Sequence, residues 1–441
     1  MSEFNEKYLH EVVDIRVSNV DKKIYPNKSL VKLCNYMDAY SNDYISRKIS
    51  FTIGSADINE IQKFGLRIDD VIITKDSETP EDIAVSSVVI EDLINVVCGY
   101  HLAILRPNRD ILDGKYLMFK LKSDELKRYF LSAAKGSTRF GLTIGDIENA
   151  KFKFPSLPTQ QRIARILSTA DAVIEKTRAA IAKYKAIKQG MLHDLFTRGI
   201  VSEKVKVKSE KGEWIEKVIW KLRPRYQDAP HLYKESKLGM IPREWDCDSI
   251  NSLTEKVGSG VTPTGGSEVY KSQGILFLRS QNILHGKLSL NDVAFIPKEI
   301  DEIMENSRVK PFDILLNITG ASIGRCAFFP GDLANANVNQ HVCIIRFKNP
   351  SKSLAVFASE FLNTDFGQRQ MYKAMAVGNR EGLNYQQIKA FNFPEIKNRK
   401  ELEKISSIIE SLNNKLQTEQ AYLQKMQSIK KGLMEELLSG K

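Results

Sequence analysis

The chain has 441 residues, 42% of them hydrophobic, and a formal net charge of +11 from 65 basic against 54 acidic residues. That length allows about three domains with real cores, and the basic excess favours a polyanionic partner, most often nucleic acid. No apolar run approaches the roughly 18 residues a bilayer span needs, and the acidic, polar start MSEFNEKYLHEVVD does not read as a secretory leader.

Residues 1–155 read as a mixed α/β domain. Strand-like runs fall at Asp70–Thr74, Ile83–Ile90 and His101–Arg106, punctuated by Gly65, Pro80, Gly99, Pro107 and Gly114. Lys115–Ala134 predicts a helix, and a small polar loop follows at Lys135–Gly141. Residues 156–199 predict one long helix, with Pro155 and Pro158 at its start, Thr159 as N-cap and Gly199 as its end. Its apolar residues step by three and four. Ile163, Ala170, Thr177, Tyr184 and Met191 hold one seam position, and Leu167, Ile174, Ile181, Lys188 and Leu195 the other, as a coiled coil requires.

Residues 200–237 alternate charges and carry Pro224 and Pro230, which predicts a surface linker with room for one short strand or helix. Residues 238–395 read as a second globular domain. Its strand candidates are Ile275–Arg279, Asp313–Ile318 and His341–Phe347, its helix Leu354–Met371, and its own small polar loop Val377–Gly382. Residues 396–441 close the chain with a second long helix. The five cysteines are scattered without a CxxC pair, which argues against a local zinc site and suits a reducing, cytoplasmic setting.

The chain is a tandem repeat. Ile163 aligns with Ile405, an offset of 242 that holds without a gap through Lys188 and Lys430, Gly190 and Gly432, and Leu195 and Leu437. The second seam is therefore Ile405, Leu412, Glu419, Met426 and Leu433 with Ile409, Leu416, Leu423, Lys430 and Leu437. The domains match too: Asp70–Ile73 with Asp313–Leu316, His101–Arg106 with His341–Arg346, and Arg139–Leu142 with Arg380–Leu383. Each copy then runs through Phe-x-Phe-Pro (Phe152–Pro155, Phe391–Pro394) into its helix. The expected fold class is α+β: two mixed α/β domains separated by two long antiparallel helices. The helices would form a coiled coil of roughly 57 Å with a pseudo-twofold axis. Two dissimilar basic tips held at a fixed separation suit a two-part duplex site, because the duplex repeats about every 34–36 Å. The simpler expectation is that each helix only covers its own domain.

Catalytic signatures are weak. No Asn-Pro-Pro-aromatic run marks an amino-methyltransferase centre, and Gly136–Gly141 has phosphate-loop spacing but Leu142 where the lysine belongs. Glu125-Leu-Lys127 is a chance nuclease-like triplet in so charged a chain. His101 and His341 match across the repeat, but each leads a strand and reads as structural.

Several runs together resemble the specificity subunits of type I restriction–modification systems. They are Phe154-Pro155 through Gln160 to Ile163, Gly239–Trp245, the Val261-Thr262-Pro263 turn and Thr319-Gly320-x-x-Ile323-Gly324. The resemblance extends over domain, helix, domain, helix, although the first domain lacks a clear Gly-x-Thr-Pro turn. It implies a non-catalytic subunit with two target-recognition domains, 1–155 and 238–395, each reading one half of an interrupted double-stranded DNA site. The conserved helices, 156–199 and 396–441, would dock two modification subunits, and restriction subunits are the third expected component. No cofactor is expected on this chain; S-adenosylmethionine, ATP and Mg belong to the partners. Ile166, Val173, Ile187 and Leu192, off the seam, are the docking candidates. For DNA contact, Arg139 and Arg380 stand first, because arginine is the commonest ligand of guanine and of phosphate. Lys135, Ser137, Thr138 and Asn379 share their loops. Lys75, Asn317, Thr319, Asn337, Asn339 and Gln340 flank the strand ends, where Asn and Gln can pair with adenine edges. A coiled-coil scaffold indifferent to DNA, an enzyme whose centre is not legible, and a modification-only system are the alternatives.

Overall fold

The computed structural model describes residues 4–208, 213–263, 265–333, 335–377 and 382–439. They form two units, one from residues 1–180 with 419–441 and the other from 181–418. The division runs through both long helices, Leu157–Thr197 and Arg399–Leu438, rather than between helix and domain.

The first unit is built on a five-stranded sheet in the order Val13–Val17, Leu102–Pro107, Val71–Thr74, Ser86–Val89 and Tyr44–Ile45. Its two central strands carry the apolar runs Val71–Ile73 and Leu102–Leu105 because both faces are covered: Ile73 and Leu105 pack in one core, Ile72 and Ile104 in another. A three-stranded sheet (Thr52–Ala56, Ser29–Cys34, Val96–Cys98) lies beyond the second core. The sequence gives little sign of it, since its strands are short and partly polar. The second unit has a four-stranded sheet of Thr254–Ser259, Val342–Phe347, Ile314–Asn317 and Cys326–Phe328. A second four-stranded sheet is centred on Ile275–Leu278 and Ala336–Val338.

The repeat holds at the level of strand register. Val17 pairs with Ala103, Leu102 with Thr74 and Val71 with Val88. The counterparts Ser259 with Cys343, Val342 with Asn317 and Ile314 with Phe328 are paired in the same way. The aspartate that opens each inner strand is buried and answers to the arginine that matches across the repeat. Arg106 holds Asp70 through Nε and Nη2, both at 2.7 Å, and its Nη2 also donates to Gly65 O at 3.0 Å. Arg346 holds Asp313 at 2.8 and 2.7 Å and donates to Arg308 O at 3.0 Å. Asp69 and Phe312, the residues just before the two aspartates, share a left-handed backbone at φ 70° and 69°. A buried carboxylate is tolerable only with such a partner, so a pair that sequence shows merely as matching letters is an anchor of the fold.

Both expected domain helices are broken in two. Lys115–Ala134 becomes Gly114–Leu121 and Asp124–Ala133, because Ser123 takes an extended backbone before the second piece. Leu354–Met371 becomes Lys352–Asn363 and Asp365–Val377, with Thr364 extended between them. Short hydroxyl side chains favour helix boundaries over interiors. The first long helix begins at Leu157, which places Thr159 inside the first turn; its N–H donates to Ser156 O at 2.9 Å.

The first part of the stretch expected as a linker, residues 200–222 of 200–237, is a β-hairpin of two nine-residue strands, Ile200–Lys208 and Trp214–Leu222, paired from Ile200–Leu222 to Lys208–Trp214. Its charges alternate with β-branched residues at period two, a strand pattern that charge density obscures. Trp214, Ile215, Val218 and Ile219 are exposed on it.

Every seam position of both long helices is buried or half-buried, the polar ones included. In the first unit Lys430 pairs with Asp171, which also accepts the Tyr44 hydroxyl at 2.8 Å. In the second, Lys188 pairs with Glu360 at 3.0 Å, and Asn413, the counterpart of Asp171, donates to the same carboxylate at 2.8 Å. Within that unit the helices run antiparallel: Lys415 lies over Tyr184 at 5.3 Å, and Glu401 accepts the Ile200 N–H at 3.0 Å.

Candidate nucleic-acid interface

The repeated strands deliver the same scaffold to one edge of each unit. In the first unit, Val71–Thr74 leads into Lys75 and Asp76, and Leu102–Pro107 starts just after Tyr100 and His101. Lys75 N–H donates to His101 O at 3.1 Å, and Leu142 N–H donates to Lys75 O at 2.8 Å. The polar loop 135–141 is closed on itself by two hydrogen bonds between Lys135 and Gly141, at 3.1 and 3.0 Å. It is strapped to the sheet by pairing of Phe140–Gly141 with Asp76–Ser77. Gly136 turns the loop at φ +144°, where a Cβ would strike the Arg139 carbonyl. In the second unit Ile318 N–H donates to His341 O at 3.0 Å, Leu383 N–H to Ile318 O at 2.9 Å, and Thr319 bridges Gly382.

The side chains on this scaffold differ. In the first unit three basic side chains surround Asp76: His101 Nδ1 at 2.6 Å, Lys75 Nζ at 3.5 Å and Arg139 Nη2 at 3.6 Å. Lys75 Nζ also lies 4.6 Å from the centre of the Tyr100 ring. Arg139 is the accessible member, with its side chain 63% exposed, whereas Lys75 is largely covered. In the second unit Thr319 replaces Asp76, and its hydroxyl lies 2.5 Å from His341 Nδ1. Sequence reading missed Asp76 and Tyr100; their adjacency to Lys75 and His101 was the available signal. The two histidines do lead strands, as expected, and each also holds the residue two positions past the end of the neighbouring strand.

Of the other expected contacts, Lys135, Ser137 and Thr138 are exposed on the loop, Lys135 near Asp146 at 3.6 Å. Gln340 is exposed and accepts the Thr262 hydroxyl. Arg380 and Asn379 lie outside the described residues. Three asparagines are not placed to meet a base. Asn317 is fully buried, with its amide donating to Ser280 O at 2.8 Å. Asn337 is fully buried between Asp301 and the Ser307 hydroxyl, both at 2.6 Å. Asn339 is buried and accepts the His341 N–H at 3.1 Å. Polar side chains close to strand ends are as often needed to satisfy buried backbone as to face solvent, and sequence does not distinguish the two.

Among the docking candidates, Ile166 and Val173 are half-buried and Ile187 is exposed. Leu192 is corrected: it is 4% exposed and belongs to the second unit's core with Leu195, Phe196 and Ile405. All five cysteines are free, and burial pushes the thiols of Cys34, Cys98, Cys326 and Cys343 up, the last to about 12, so these four are packing residues. Among the described residues no helix is long and apolar enough to cross a membrane.

Residues 1–183 match the family model of the type I restriction modification DNA specificity domain. The chain is similar to the type I restriction enzyme MjaVIII specificity subunit of Methanocaldococcus jannaschii, 23% identical over 76% of this chain and 72% of that one. A second M. jannaschii relative, provisionally named as the MjaX specificity subunit, is 24% identical over 50% of this chain. The match spans 44% of that relative's length. The fold is that of the type I system S subunit from M. genitalium, with a TM-score of 0.59 at 15% identity over 99% of this chain and 96% of that one.

Proposed function

We propose that this chain, similar to type I restriction–modification specificity subunits, is the non-catalytic, DNA-reading subunit of such a complex. Each unit would read one half of an interrupted double-stranded site. The observation that carries the reading is the duplicated scaffold: the same strands, in the same register and anchored by the same buried Asp–Arg pair, present different side chains at equivalent edges. Conserved geometry with divergent tips is what two half-sites of different sequence require. The net charge of +11 supplies the sequence-independent attraction to phosphate.

The long helices would be the docking surface for two modification subunits, with Ile166, Val173 and Ile187 as the apolar residues left for a partner. Their matched polar seam, Lys430 with Asp171 and Lys188 with Glu360, supports a fixed helix pair of the coiled-coil kind. Methyl transfer and cleavage, with S-adenosylmethionine, ATP and Mg, would reside on those partners and on restriction subunits. Whether restriction subunits join, or the system only modifies, depends on those partners.

The test is a methylation assay with the chain reconstituted with its modification subunits, on substrates altered in one half-site at a time. Arg139→Ala should impair one half and Arg380→Ala the other. Equal loss on both halves from either variant, or no loss, refutes the assignment. The chain should also bind duplex DNA with strong salt dependence. For about 6–10 phosphates, affinity falls roughly 10³–10⁵-fold between about 50 and 200 mM salt.

A further inference from the structure

The cluster of Lys75, His101 and Arg139 in the first unit is already filled by a carboxylate of the protein's own. Three basic groups, on two strand ends and a loop, lie within 3.6 Å of the Asp76 carboxylate. A carboxylate presents two oxygens to such groups much as a phosphodiester presents its two non-bridging oxygens. The counterpart edge has Ile318, Thr319, Gln340 and His341 at the matching places, so it carries neither the carboxylate nor the lysine. The shared fold therefore does not need Asp76, since Thr319 holds its histidine at 2.5 Å without a charge. Arg139, mostly exposed on a loop turned by Gly136, can swing toward solvent without disturbing the sheet.

We propose that Asp76 stands in for a DNA phosphate in the free protein. Lys75, His101 and Arg139 form a phosphate site in the first unit, closed by its own carboxylate until duplex DNA displaces it. This rests on the DNA-reading function proposed above. Self-occupancy lowers affinity for any duplex that fails to place a phosphate there, which raises discrimination at the expense of binding strength.

The experiment is fluorescence anisotropy of a labelled random-sequence duplex of about 30 base pairs, titrated with the full chain across a salt series. Asp76→Asn removes the charge. Asp76→Thr copies the residue the other unit uses and keeps a hydrogen-bond partner for His101. Asp110→Asn, in the exposed loop after Leu102–Pro107, at the end of that strand away from His101, makes the same change of net charge outside the cluster. Both Asp76 variants should bind about fivefold tighter than wild type at about 50 mM salt, the effect of one unit charge at about 4 Å in a water-like dielectric. The slope of log K against log salt should steepen by about 0.9, one further counterion released. Asp110→Asn should change neither. Adding Lys75→Ala to Asp76→Asn should abolish the gain. Weaker binding in both Asp76 variants, or values equal to those of Asp110→Asn, overturns the proposal while leaving DNA binding intact. Absence of binding by the wild type at low salt removes the DNA reading, and this inference with it.

Discussion

Gly199→Ala is expected to unfold the second unit far more readily than its chemistry suggests. The first long helix ends in a left-handed cap at Gly199, φ +57°, whose N–H donates to Leu195 O at 3.2 Å. A methyl there would lie 2.5 Å from both Arg223 Nη1 and Glu401 Oε1, and would also strike the Trp245 ring. These groups cannot simply yield. Glu401 is buried and accepts from Arg223 at 2.5 and 3.0 Å, from Ile200 N–H at 3.0 Å and from Trp245 Nε1 at 3.3 Å. The left-handed backbone alone costs a β-carbon about 1–2 kcal/mol. Parting a buried ion pair costs about 3–5 kcal/mol, and partial displacement brings the expected total to about 2–5 kcal/mol. The control is Gly190→Ala, in the interior of the same helix with nothing within 4 Å of the added methyl. It should stabilise by about 1 kcal/mol through helix propensity. Urea unfolding followed by tryptophan fluorescence reads both, because Trp214, Trp220 and Trp245, the chain's three tryptophans, all lie in residues 181–418. A midpoint for Gly199→Ala within about 0.5 kcal/mol of wild type would refute the reasoning, and so would a loss of stability in Gly190→Ala.

Arg346→Ala should destabilise the second unit by about 3–5 kcal/mol, because it leaves Asp313 buried without its cation; the same fluorescence titration reads it. Arg139→Ala should leave thermal stability unchanged, since the side chain is mostly exposed, while reducing the slope of DNA affinity against salt by about one. Asp246 gives an acid-limb prediction. Hydrogen bonds from Lys234 and then Lys397 hold its carboxyl down to about 2, below the ordinary 3.8. Its folded value is the lower one, so its contribution is complete above pH 3.8 and lost as pH falls toward 2. Asp246→Asn should lower stability at neutral pH and flatten the acid part of the curve, both read as denaturant midpoint against pH.

The long helices were the most legible part of the fold. A three-and-four spacing sustained over some forty residues has few structural meanings, and each residue placed in the seam is buried or half-buried. The inner strands were legible for a similar reason: Val71–Ile73, Ile314–Leu316 and Val342–Ile345 are uninterrupted apolar runs. The hairpin Ile200–Leu222 was not, because its alternation is carried by lysines and glutamates and suggests solvated chain. The site was half legible. Arg139, Lys75 and Thr319 reach the strand-end edge, but Asn317, Asn337 and Asn339 turn inward, and a letter near a strand end does not reveal which way it faces.

What the amino-acid order determined alone is the duplication, the class of elements and the charge, all of which are properties of spacing and composition along one dimension. What only the tertiary structure decided is which polar residues are committed to one another. The Asp70–Arg106 and Asp313–Arg346 anchors and the meeting of His101 and Arg139 at Asp76 join residues 25 to 63 positions apart. The clasp of Glu401 on Arg223 spans 178. Coulomb and hydrogen-bond energies act over a few ångströms of space, and the separation of two residues along the chain does not fix their separation in the fold.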